Sequence, residues 1–526
     1  MKPVKHVMLV GGGTAGWLTA AFLAQALGSK GDDGVAVTVV ESSDIGIIGV
    51  GEGSFPSLRG TLSAIGIDEA RFVRECNATF KQGVKFANWT RPLGAQGADH
   101  YFHPFSAPSQ RPGGPELLPY WLQGAARPGT AFAAAATMQK RVADASHAPK
   151  RTTDGDFLGP MNYAYHFDAG LLAKLLADQA KTLGVKHILA TIERVVLSED
   201  GGIDSLVTRE SGTLSADLYI DCTGFRSALI SQLDDDAHGS SWRSLEDVLF
   251  VDRALAMQVP YAQPDAPIPS YTVSTAHEAG WTWDIGLHER RGIGYVYSSR
   301  HSDEAEAERV LRRYIGPAAE KLEPRLLKLK VGYRDVQWIK NCVAVGLSSG
   351  FLEPLESSGI GLIETAAYLI AHMFPHDGNL APAAKQFNTL MKVRYERIVD
   401  FIKMHYCLTK RHDTQFWIEN ADPRSIPDSL QEKLAMWRCR PPHRLDFVAD
   451  HEMYPATSWQ YVLYGMEFET AFSGNRTAFP RFDEARKEFQ TIEQLALRAI
   501  ADLPPHRTLV TAMCERQAIA VKTGTR

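Results

Sequence analysis

The fold is decided by the stretch HVMLVGGGTAGW, His6 to Trp17. The apolar run Val7 to Val10 is typical of a buried parallel strand. Three glycines follow at the G-x-G-x-x-G spacing, and the apolar, helix-like segment Leu18 to Leu27 comes directly after them. In such a unit the glycines permit a tight turn, close approach of the backbone to a pyrophosphate and close packing of helix on strand, while the helix N-terminus offers free N–H groups. The residues predicted to contact a dinucleotide here are Gly11, Gly13, Thr14, Ala15 and Gly16.

A second strand and an acidic residue support a nucleotide site. The run Val35 to Val40 ends at Glu41, where folds of this kind place a carboxylate on a ribose hydroxyl. Far along the chain, Ala216 to Ser227 has the pattern of a strand that returns to the same sheet, and its Asp221 and Gly224 are further candidates for the nucleotide site. Assembly from separated segments favours FAD over NAD as the cofactor.

The predicted fold class is α/β, in the mixed α+β sense, with a Rossmann-like FAD-binding domain assembled from discontinuous segments. A module at residues 1–380 carries the cofactor site and inserted β-rich parts at about 60–215 and 245–335, and a mainly helical C-terminal region at 381–526 covers the substrate site. Local patterns predict helices over Leu62 to Phe80, His166 to Leu183 and Gly359 to Phe374. Gly94 to Arg151 reads as irregular chain with one short helix.

Composition and charge limit the classes of partner. The chain has 526 residues and a net charge of −5, so no basic field favours nucleic acid. Its six cysteines lie far apart without a C-x-x-C pair, which argues against a zinc site or a disulfide framework. Lys2 and Lys5 precede an apolar stretch, as in a signal peptide, but glycines interrupt it and no run is long enough to span a bilayer. We expect a cytoplasmic protein without a metal site or membrane association.

Seven further residues could carry chemistry, although each also has an ordinary structural interpretation. A single lysine is usually solvated, and two tryptophans at i and i+2 lie on one face of a strand, usually in the core. Serines that precede a helix are usually N-caps, but backbone N–H groups at the same place could hold a small anion. The glycine-rich segment Ile45 to Leu58 could bring backbone close to a flat ring or form a tight turn. The seven residues are Lys81, Trp281, Trp283, Glu356, Ser357, Ser358 and Gly359.

Five motifs occur together and in order. They are GGGTAGW at 11–17, FKQGVKFANW at 80–89, YFHPF at 101–105, WTWDIG at 281–286 and GFLEPLESSGI at 350–360. This set resembles the flavin-dependent halogenases of the tryptophan and indole type, and the similarity extends through FWIEN at 416–420. The dinucleotide loop is shared by many flavoproteins, whereas W-x-W-x-I and the lysine followed by LEPLESSG are far more specific.

The resemblance implies an enzyme that uses O2, chloride or bromide, and FADH2 that diffuses from a separate NAD(P)H flavin reductase. A flavin hydroperoxide and halide give hypohalous acid, which reaches the aromatic substrate through an internal passage. By resemblance, Lys81 hydrogen-bonds this acid or is halogenated by it, since an ammonium group in an enclosed site polarises the O–X bond. Glu356 stabilises the cationic intermediate, helps orient the halogenating species and takes up a proton, and Ser357 relays between it and the substrate. Backbone amides of Ser358 and Gly359 bind halide.

The resemblance also implies the surroundings of the reaction. Trp281 and Trp283 lie beside the passage, where their bulk keeps an organic substrate away from the flavin. His103 and Phe105 line the aromatic pocket, in which an indole could stack. The flavin contacts outside the dinucleotide loop are Glu41, Gly49, Gly51, Glu52 and Leu347.

The sequence departs from the family pattern in two places, and the second departure bears on the substrate. The tryptophan motif normally ends in Ile-Pro, whereas here Ile285 is followed by Gly286, which loosens the turn and keeps both tryptophans. Tryptophan-specific members carry a Tyr-Tyr, Glu and Phe-Trp set that grips the amino-acid end of the substrate, and no counterpart aligns between Met436 and Glu469. A free amino acid needs charged partners, so we expect indole or another neutral, electron-rich aromatic compound.

Three other interpretations stay open at this level. The chain could be a tryptophan halogenase proper, a related flavin monooxygenase that inserts oxygen, or a flavin-binding protein without enzymatic activity. Trp281 and Trp283 argue against the monooxygenase, and Lys81 with Glu356 argues against the non-enzymatic protein. Halide choice, ring position and oligomeric state are left open, with a homodimer as one arrangement.

Overall fold

The computed structural model describes residues 2–44, 51–109, 111–234, 241–448, 451–471 and 477–523, with side chains as far as residue 515. The chain forms two compact units. The first contains Met1–Asn77, Phe167–Glu246 and Lys330–Glu396, and the second contains Ala78–His166, Asp247–Leu329 and Arg397–Arg526. Within the described ranges, no helix combines the length and the apolar character needed to cross a membrane.

The strands, in chain order, have the following bounds. They are β1 His6–Val10, β2 Ala36–Glu41, β3 Gly51–Gly53, β4 Thr79–Lys81, β5 Gly83–Ala87, β6 His100–Pro104, β7 Ala164–Asp168, β8 Lys186–Leu189, β9 Ile192–Leu197, β10 Ile203–Thr208, β11 Gly212–Leu214, β12 Leu218–Asp221, β13 Trp242–Ser244, β14 Arg253–Pro260, β15 Thr272–Ala276, β16 Gly280–Gly286, β17 Arg290–Tyr297, β18 Arg325–Lys328, β19 Gly332–Arg334, β20 Trp338–Ile339, β21 Cys342–Ala344 and β22 Gly350–Phe351.

The α-helices are bounded in the same way. They are α1 Thr14–Ala26, α2 Leu58–Ala64, α3 Glu69–Glu75, α4 Leu117–Leu122, α5 Phe132–Ala136, α6 Gln139–Asp144, α7 Ala169–Thr182, α8 Glu304–Ile315, α9 Ser358–His372, α10 Leu380–Cys407, α11 Gln415–Ala421, α12 Asp428–Cys439, α13 Ala456–Gly465, α14 Phe482–Asp502 and α15 His506–Thr523. Helix α10 crosses the boundary between the two units at Glu396.

The first unit is built on a six-stranded sheet with the order β20-β21-β12-β1-β2-β8. Strand β1 lies at its centre and is parallel to both neighbours, with Val10 in register with Val40 on one side and Asp221 on the other. Side chains from Val7 to Val10 are buried, as expected of a strand covered on both faces, and α1 packs against α7 and α9. The predicted Rossmann-like fold and the predicted return of residues 216–227 to the nucleotide sheet are confirmed.

The second unit contains a seven-stranded sheet with the order β18-β14-β17-β16-β15-β5-β6. Its neighbouring strands are antiparallel except for the parallel pair β15 and β5. The tryptophan motif forms β16 at the middle of this sheet, and the short strand β4, which carries Lys81, pairs with β7. Helix α13 from the C-terminal region packs on β6.

The helix predicted over Leu62 to Phe80 is wrong in its extent. The chain forms the two short helices α2 and α3 and then the strand β4. Gly66, with φ of +79°, ends the first helix, and the Asp68 carboxylate begins the second by accepting a hydrogen bond from the Arg71 backbone N–H. Asn77, with φ of +53°, turns the chain into β4. Local turn residues therefore override the apolar spacing.

Two other boundaries also differ from the prediction. The helix expected from His166 begins at Ala169, because the Asp168 carboxylate caps it by accepting from the Gly170 and Leu171 N–H groups. Ala164–Asp168 is a strand instead. The segment expected to be irregular, Gly94 to Arg151, contains β6 and three short helices.

Candidate active site

The dinucleotide loop has the geometry that its glycines predict. Gly11 has φ of +116°, and a Cβ atom there would lie 2.2 Å from the carbonyl oxygen of Cys222. A Cβ atom at Gly16 would lie 1.9 Å from the Gly11 carbonyl oxygen, so only glycine allows α1 to start so close to β1. At Gly13, the residue that precedes α1, a Cβ atom would meet nothing within 4 Å. The open side of the loop therefore leaves room for a phosphate at the N-terminus of α1.

Glu41 ends β2 beside this loop. A Cβ atom at Gly12 would lie 2.0 Å from Glu41 Cδ, which shows how closely the carboxylate approaches the loop backbone. His187 Nε2 donates a hydrogen bond to Glu41 Oε2 at 3.0 Å, and the edge of the His187 ring contacts Trp17. The carboxylate is half-buried, oriented on one side and available to a ribose hydroxyl on the other.

The turn that carries Leu347 lies against the start of α1. Gly346 has φ of +71°, and a Cβ atom there would lie 2.8 Å from Ala15 Cβ. The neighbouring Ser348 donates from Oγ to Asp221 Oδ1 at 3.0 Å. This packing places Leu347 next to the dinucleotide loop, within the same unit, where it could contact a bound flavin.

Asp221 is a buried anchor for the nucleotide end of the sheet. Its fully buried carboxylate accepts hydrogen bonds from the backbone N–H groups of Thr223, Leu229 and Ile230, from the Thr223 hydroxyl and from Ser348. With both oxygens engaged by protein donors, Asp221 fixes the turn after β12 and the Leu347 turn together.

The segment after the second strand is described only in part. Gly49 falls in residues 45–50, outside the described residues, so its predicted flavin contact stays a prediction. Gly51 and Glu52 belong to the short strand β3. Burial, together with the nearby carboxylate of Asp168, raises the pKa of Glu52 to about 7.

The motif GFLEPLESSGI makes a tight, buried turn before α9. Glu356 and Ser357 both have left-handed backbone conformations, with φ of 64° and 58°, which cost non-glycine residues energy and are characteristic of functional sites. Ser357 occupies the N-cap position, yet its side chain does not cap the helix. Ser358 is the first residue of α9 and is buried, whereas Gly359 is exposed and a Cβ atom there would meet nothing within 4 Å. The helix start can therefore present backbone N–H groups to an anion.

Lys81 lies in the second unit and is completely buried, at 0 % exposure. Its ammonium nitrogen is 5.3 Å from the centre of the Phe105 ring, a cation–π distance. Phe105 contacts His103 edge-on, and His103, also buried, contacts Phe401 in the same way. The structure thus brings Lys81, His103 and Phe105 together, and the aromatic pocket expected at His103 and Phe105 stays a prediction.

The C-terminal region adds an aromatic wall that the sequence did not reveal. The Phe401 ring on α10 stacks on Tyr454 with centroids 3.9 Å apart, and Trp459 on α13 contacts the edge of Phe401 at 5.0 Å. Because Phe401 also contacts His103, these rings extend the aromatic cluster that contains His103 and Phe105. The sequence signal for this wall was the aromatic content of MYPATSW, Met453 to Trp459. This segment does not match the residues with which tryptophan-specific members bind the amino-acid end of the substrate.

His166 is a second residue that the sequence did not identify. It lies on β7 opposite Thr79 of β4, two residues from Lys81. It is completely buried, and burial together with the positive charge of Lys81 holds its pKa well below the usual value for histidine. The sequence pattern assigned His166 to a helix start, which concealed its position beside the lysine.

The two tryptophans share one face of β16, as predicted, with ring centroids 6.5 Å apart. Trp283 lies against Gly294 on the neighbouring strand, where a Cβ atom would be 2.2 Å from its ring. Trp281 is 1 % exposed, packs on Trp89, and its Nε1 has no hydrogen-bond partner among the described residues. The strand ends at Gly286, where a Cβ atom would lie 2.7 Å from Ile268 Cγ2.

Comparison with known proteins gives a consistent result over the whole chain. A family model described as tryptophan halogenase matches residues 6–478. The tryptophan 6-halogenase SttH of Streptomyces toxytricini is 34% identical over 530 residues, which cover 97% of this chain and 98% of that protein. The tryptophan 7-halogenase RebH of Lentzea aerocolonigenes is 36% identical over 451 residues, covering 83% and 82%. A crystal structure of a tryptophan halogenase from Shewanella frigidimarina NCIMB 400 has a TM-score of 0.92 at 38% identity and covers 98% of both chains.

Proposed function

The chain belongs to the tryptophan halogenase family, and we propose that it is an FADH2-dependent halogenase of indole or another neutral, electron-rich aromatic compound. The observation that carries the proposal is the complete burial of Lys81 beside an aromatic wall. A cation is costly to bury, so a buried ammonium group needs a reason. The Lys81 ammonium group lies over the Phe105 ring, where it is suited to polarise a neutral oxidant beside an aromatic substrate.

The residues of the first unit fit a dinucleotide cofactor. The loop from Gly11 to Gly16 would hold the pyrophosphate at the N-terminus of α1, Glu41 would bind the ribose, and Leu347 would contact the ring system. Gly49, Gly51 and Glu52 complete the proposed flavin contacts. When bound, the reduced flavin supplies, with O2, the oxidising equivalents that convert halide to hypohalous acid. A separate NAD(P)H flavin reductase would deliver the reduced flavin by diffusion.

The backbone amides of Ser358 and Gly359 would bind the halide. Both belong to the first turn of the 15-residue helix α9, where N–H groups have no partner inside the helix. The helix dipole adds a partial positive charge at that end. No side-chain cap from Ser357 competes for these N–H groups.

Lys81 would polarise the halogenating species. Its ammonium group would either donate a hydrogen bond to hypohalous acid, which makes the halogen more electrophilic, or be halogenated by it, which holds the halogen at the site. In an enclosed site this effect is stronger than in water because the surrounding dielectric constant is low. Phe105, His103 and the rings of Phe401 and Tyr454 would hold the aromatic substrate by stacking.

Glu356 would stabilise the cationic ring intermediate and then take up the ring proton. Its carboxylate is buried, and the left-handed turn at Glu356 and Ser357 restricts where that side chain can point. Ser357 would relay between the carboxylate and the substrate. Trp281 and Trp283 would exclude organic substrate from the flavin and thereby prevent oxygen insertion.

Tryptophan is the second candidate substrate, because SttH and RebH are tryptophan 6- and 7-halogenases by name. The aromatic wall at Phe401, Tyr454 and Trp459 favours a neutral ring instead, since its members offer no charge to an amino-acid group.

A competition experiment decides between these substrates. The protein is incubated with FAD, NADH, a flavin reductase, chloride and bromide, with indole and tryptophan at equal concentrations, and the products are analysed by mass spectrometry. We expect halogen isotope doublets on indole. Doublets on tryptophan alone would replace the proposed substrate, and oxygenated products without halogen would replace the proposed reaction.

A further inference from the structure

Three titratable side chains of the second unit are completely buried near one another. Lys81, His166 and His506 each have 0 % exposure. On the antiparallel pair β4 and β7, His166 is opposite Thr79, and Thr79 and Lys81 are two residues apart on the same strand. The Lys81 and His166 side chains therefore leave the same face of this strand pair. The charge of Lys81 also acts on His166, as does His506.

Both ring nitrogens of His506 are used by the backbone. Nε2 accepts a hydrogen bond from the Phe80 N–H at 2.9 Å, and Nδ1 donates to the Ile268 carbonyl oxygen at 3.0 Å. Burial lowers the pKa of His506 to about 4. Protonation at Nε2 would remove the acceptor of the Phe80 N–H, so His506 is a structural, neutral imidazole.

His166 differs from His506 in having one nitrogen available. Its Nε2 is hydrogen-bonded to the Thr272 hydroxyl at 2.8 Å, and its buried Nδ1 has no hydrogen-bond partner among the described residues. The ring is kept neutral by burial and by the positive charge of Lys81. If Lys81 lost its charge, one of the causes that disfavour protonation of His166 would disappear. A positive charge on one of the two groups is therefore favoured over a charge on both.

We propose that His166 is the proton acceptor for Lys81 when hypohalous acid halogenates the lysine amine. This inference rests on the proposed function of Lys81. The lysine ammonium group loses two protons as the N–X bond forms and the O–X bond breaks: one combines with the released hydroxide to give water, and the other moves to Nδ1 of His166. The net charge of the buried pair stays at one throughout. When the halogen passes to the aromatic ring, the lysine nitrogen regains two protons, one from His166 and the one that the ring releases to Glu356, and the ammonium group is restored. His166 thus acts through Lys81 as a positioning and proton-accepting residue.

The test measures halogen stored on the protein. Wild type and His166→Gln are charged with the reductase system and bromide without any aromatic compound, desalted rapidly, and mixed with indole, and the brominated product per protein is quantified. Gln keeps a donor for the Thr272 hydroxyl and removes the titratable ring. His277→Gln is the matched control, because His277 also bonds a threonine hydroxyl, Thr282, in the same unit and lies outside the proposed site. If His166→Gln folds poorly, His166→Asn replaces it.

We expect charging to be about 100-fold slower in His166→Gln at pH 7, the usual effect of losing a general base. The defect should shrink as pH rises, because hydroxide then removes the proton, whereas wild type and His277→Gln should change little above pH 7. Equal charging of His166→Gln and wild type at every pH overturns the inference. Turnover without any stored bromine in wild type overturns it too and leaves the proposed function intact. Absence of brominated product under turnover conditions rejects the proposed function itself.

Discussion

The Thr79 hydroxyl donates a hydrogen bond to the carbonyl oxygen of Gly286 at 2.5 Å, and both groups are buried. This bond joins the strand that carries Lys81 to the end of the strand that carries the two tryptophans. Because Thr79 is also opposite His166 on β7, this bond ties the strand pair that carries Lys81 and His166 to the strand of the two tryptophans.

Thr79→Val should lower the free energy of unfolding by about 1–2 kcal/mol, because the change keeps the shape and removes the only donor that Thr79 offers to the buried carbonyl. Chemical denaturation measures the loss. Thr491→Val is the control, since its hydroxyl bonds the Lys487 carbonyl on an exposed helix surface. The free energy of unfolding of the control should stay within about 0.5 kcal/mol of wild type. An equal loss in both variants would mean that the buried Thr79 hydrogen bond stabilises the protein no more than the exposed one.

Gly286→Ala should destabilise the protein by about 1–3 kcal/mol through overpacking. The added Cβ would lie 2.7 Å from Ile268 Cγ2 and 2.9 Å from the Tyr261 hydroxyl oxygen. Glycine at this position therefore reflects local packing, in addition to replacing the usual proline of the motif. Gly60→Ala in helix α2, where a Cβ meets nothing within 4 Å, should instead gain up to about 1 kcal/mol. Thermal unfolding of both variants measures the two changes in stability. A Gly286→Ala protein as stable as wild type would contradict the predicted overpacking.

Lys81→Met should reduce halogenation at least about 100-fold, because the side chain keeps its length and loses the charge that polarises the oxidant. Flavin affinity, measured by fluorescence titration, should be unchanged, since the proposed flavin contacts belong to the other unit. Lys140→Met is the control, as its ammonium group also lies over a ring, that of Phe102, at 5.9 Å. Wild-type halogenation in Lys81→Met would remove the lysine from the mechanism.

Glu356→Gln should strongly reduce halogenation with flavin binding retained, because the amide cannot take up the ring proton. Glu356→Gly should be equally inactive but more stable than Glu356→Gln by about 1 kcal/mol, since glycine adopts the left-handed conformation without a Cβ penalty. Product analysis and chemical denaturation of the pair separate the two effects. If Glu356→Gly were the less stable variant, the turn would not be strained in the way described.

Glu364→Gln should stabilise the protein at pH 8 and leave it unchanged at pH 4. The Glu364 carboxylate is buried on α9, where it accepts hydrogen bonds from Ser57 and Thr61, and burial raises its pKa to about 7. The folded protein therefore holds this proton more tightly than the unfolded chain, so stability falls as pH rises from about 4.5 to 7, by at most about 3 kcal/mol. Denaturation at both pH values measures the difference. Glu199→Gln on an exposed turn is the control, and a gain of equal size there would show a general charge effect.

Much of the first unit could be predicted from sequence because its signals are local. The glycine spacing after β1 reports a backbone requirement that only glycine satisfies, and the apolar runs of β1, β2 and β12 report strands buried in the sheet. The halogenase family, recognised from five motifs, is confirmed by the family model and the relatives. The turn at Glu356 belongs to such a motif, although its left-handed conformation at a non-glycine residue has no sequence signature.

The surroundings of Lys81 could not be predicted in the same way. Phe401, Tyr454 and Trp459 lie 298, 351 and 356 residues after His103 in the chain. Their contacts depend on tertiary packing of helices whose apolar spacing only indicates a buried face. His166 was obscured because the strand Ala164–Asp168 runs directly into α7, and the helical pattern extended across the boundary. Two residues set the observed helix boundaries: Gly66 ends α2, and the side chain of Asp168 caps the start of α7.

Each of the two units is assembled from three separated segments of the chain, and this has a consequence for biosynthesis. Sequence passes from one unit to the other at 77/78, 166/167, 246/247, 329/330 and 396/397, so neither unit is a continuous piece of chain. The sheet centred on β1 needs β21, more than 300 residues later, and cannot be completed until most of the protein has left the ribosome. Such long loop closures slow folding and leave partly built sheet edges exposed during translation. Expression should therefore depend on growth temperature and chaperone supply, and a division of the gene at any point between residues 78 and 396 would divide both units.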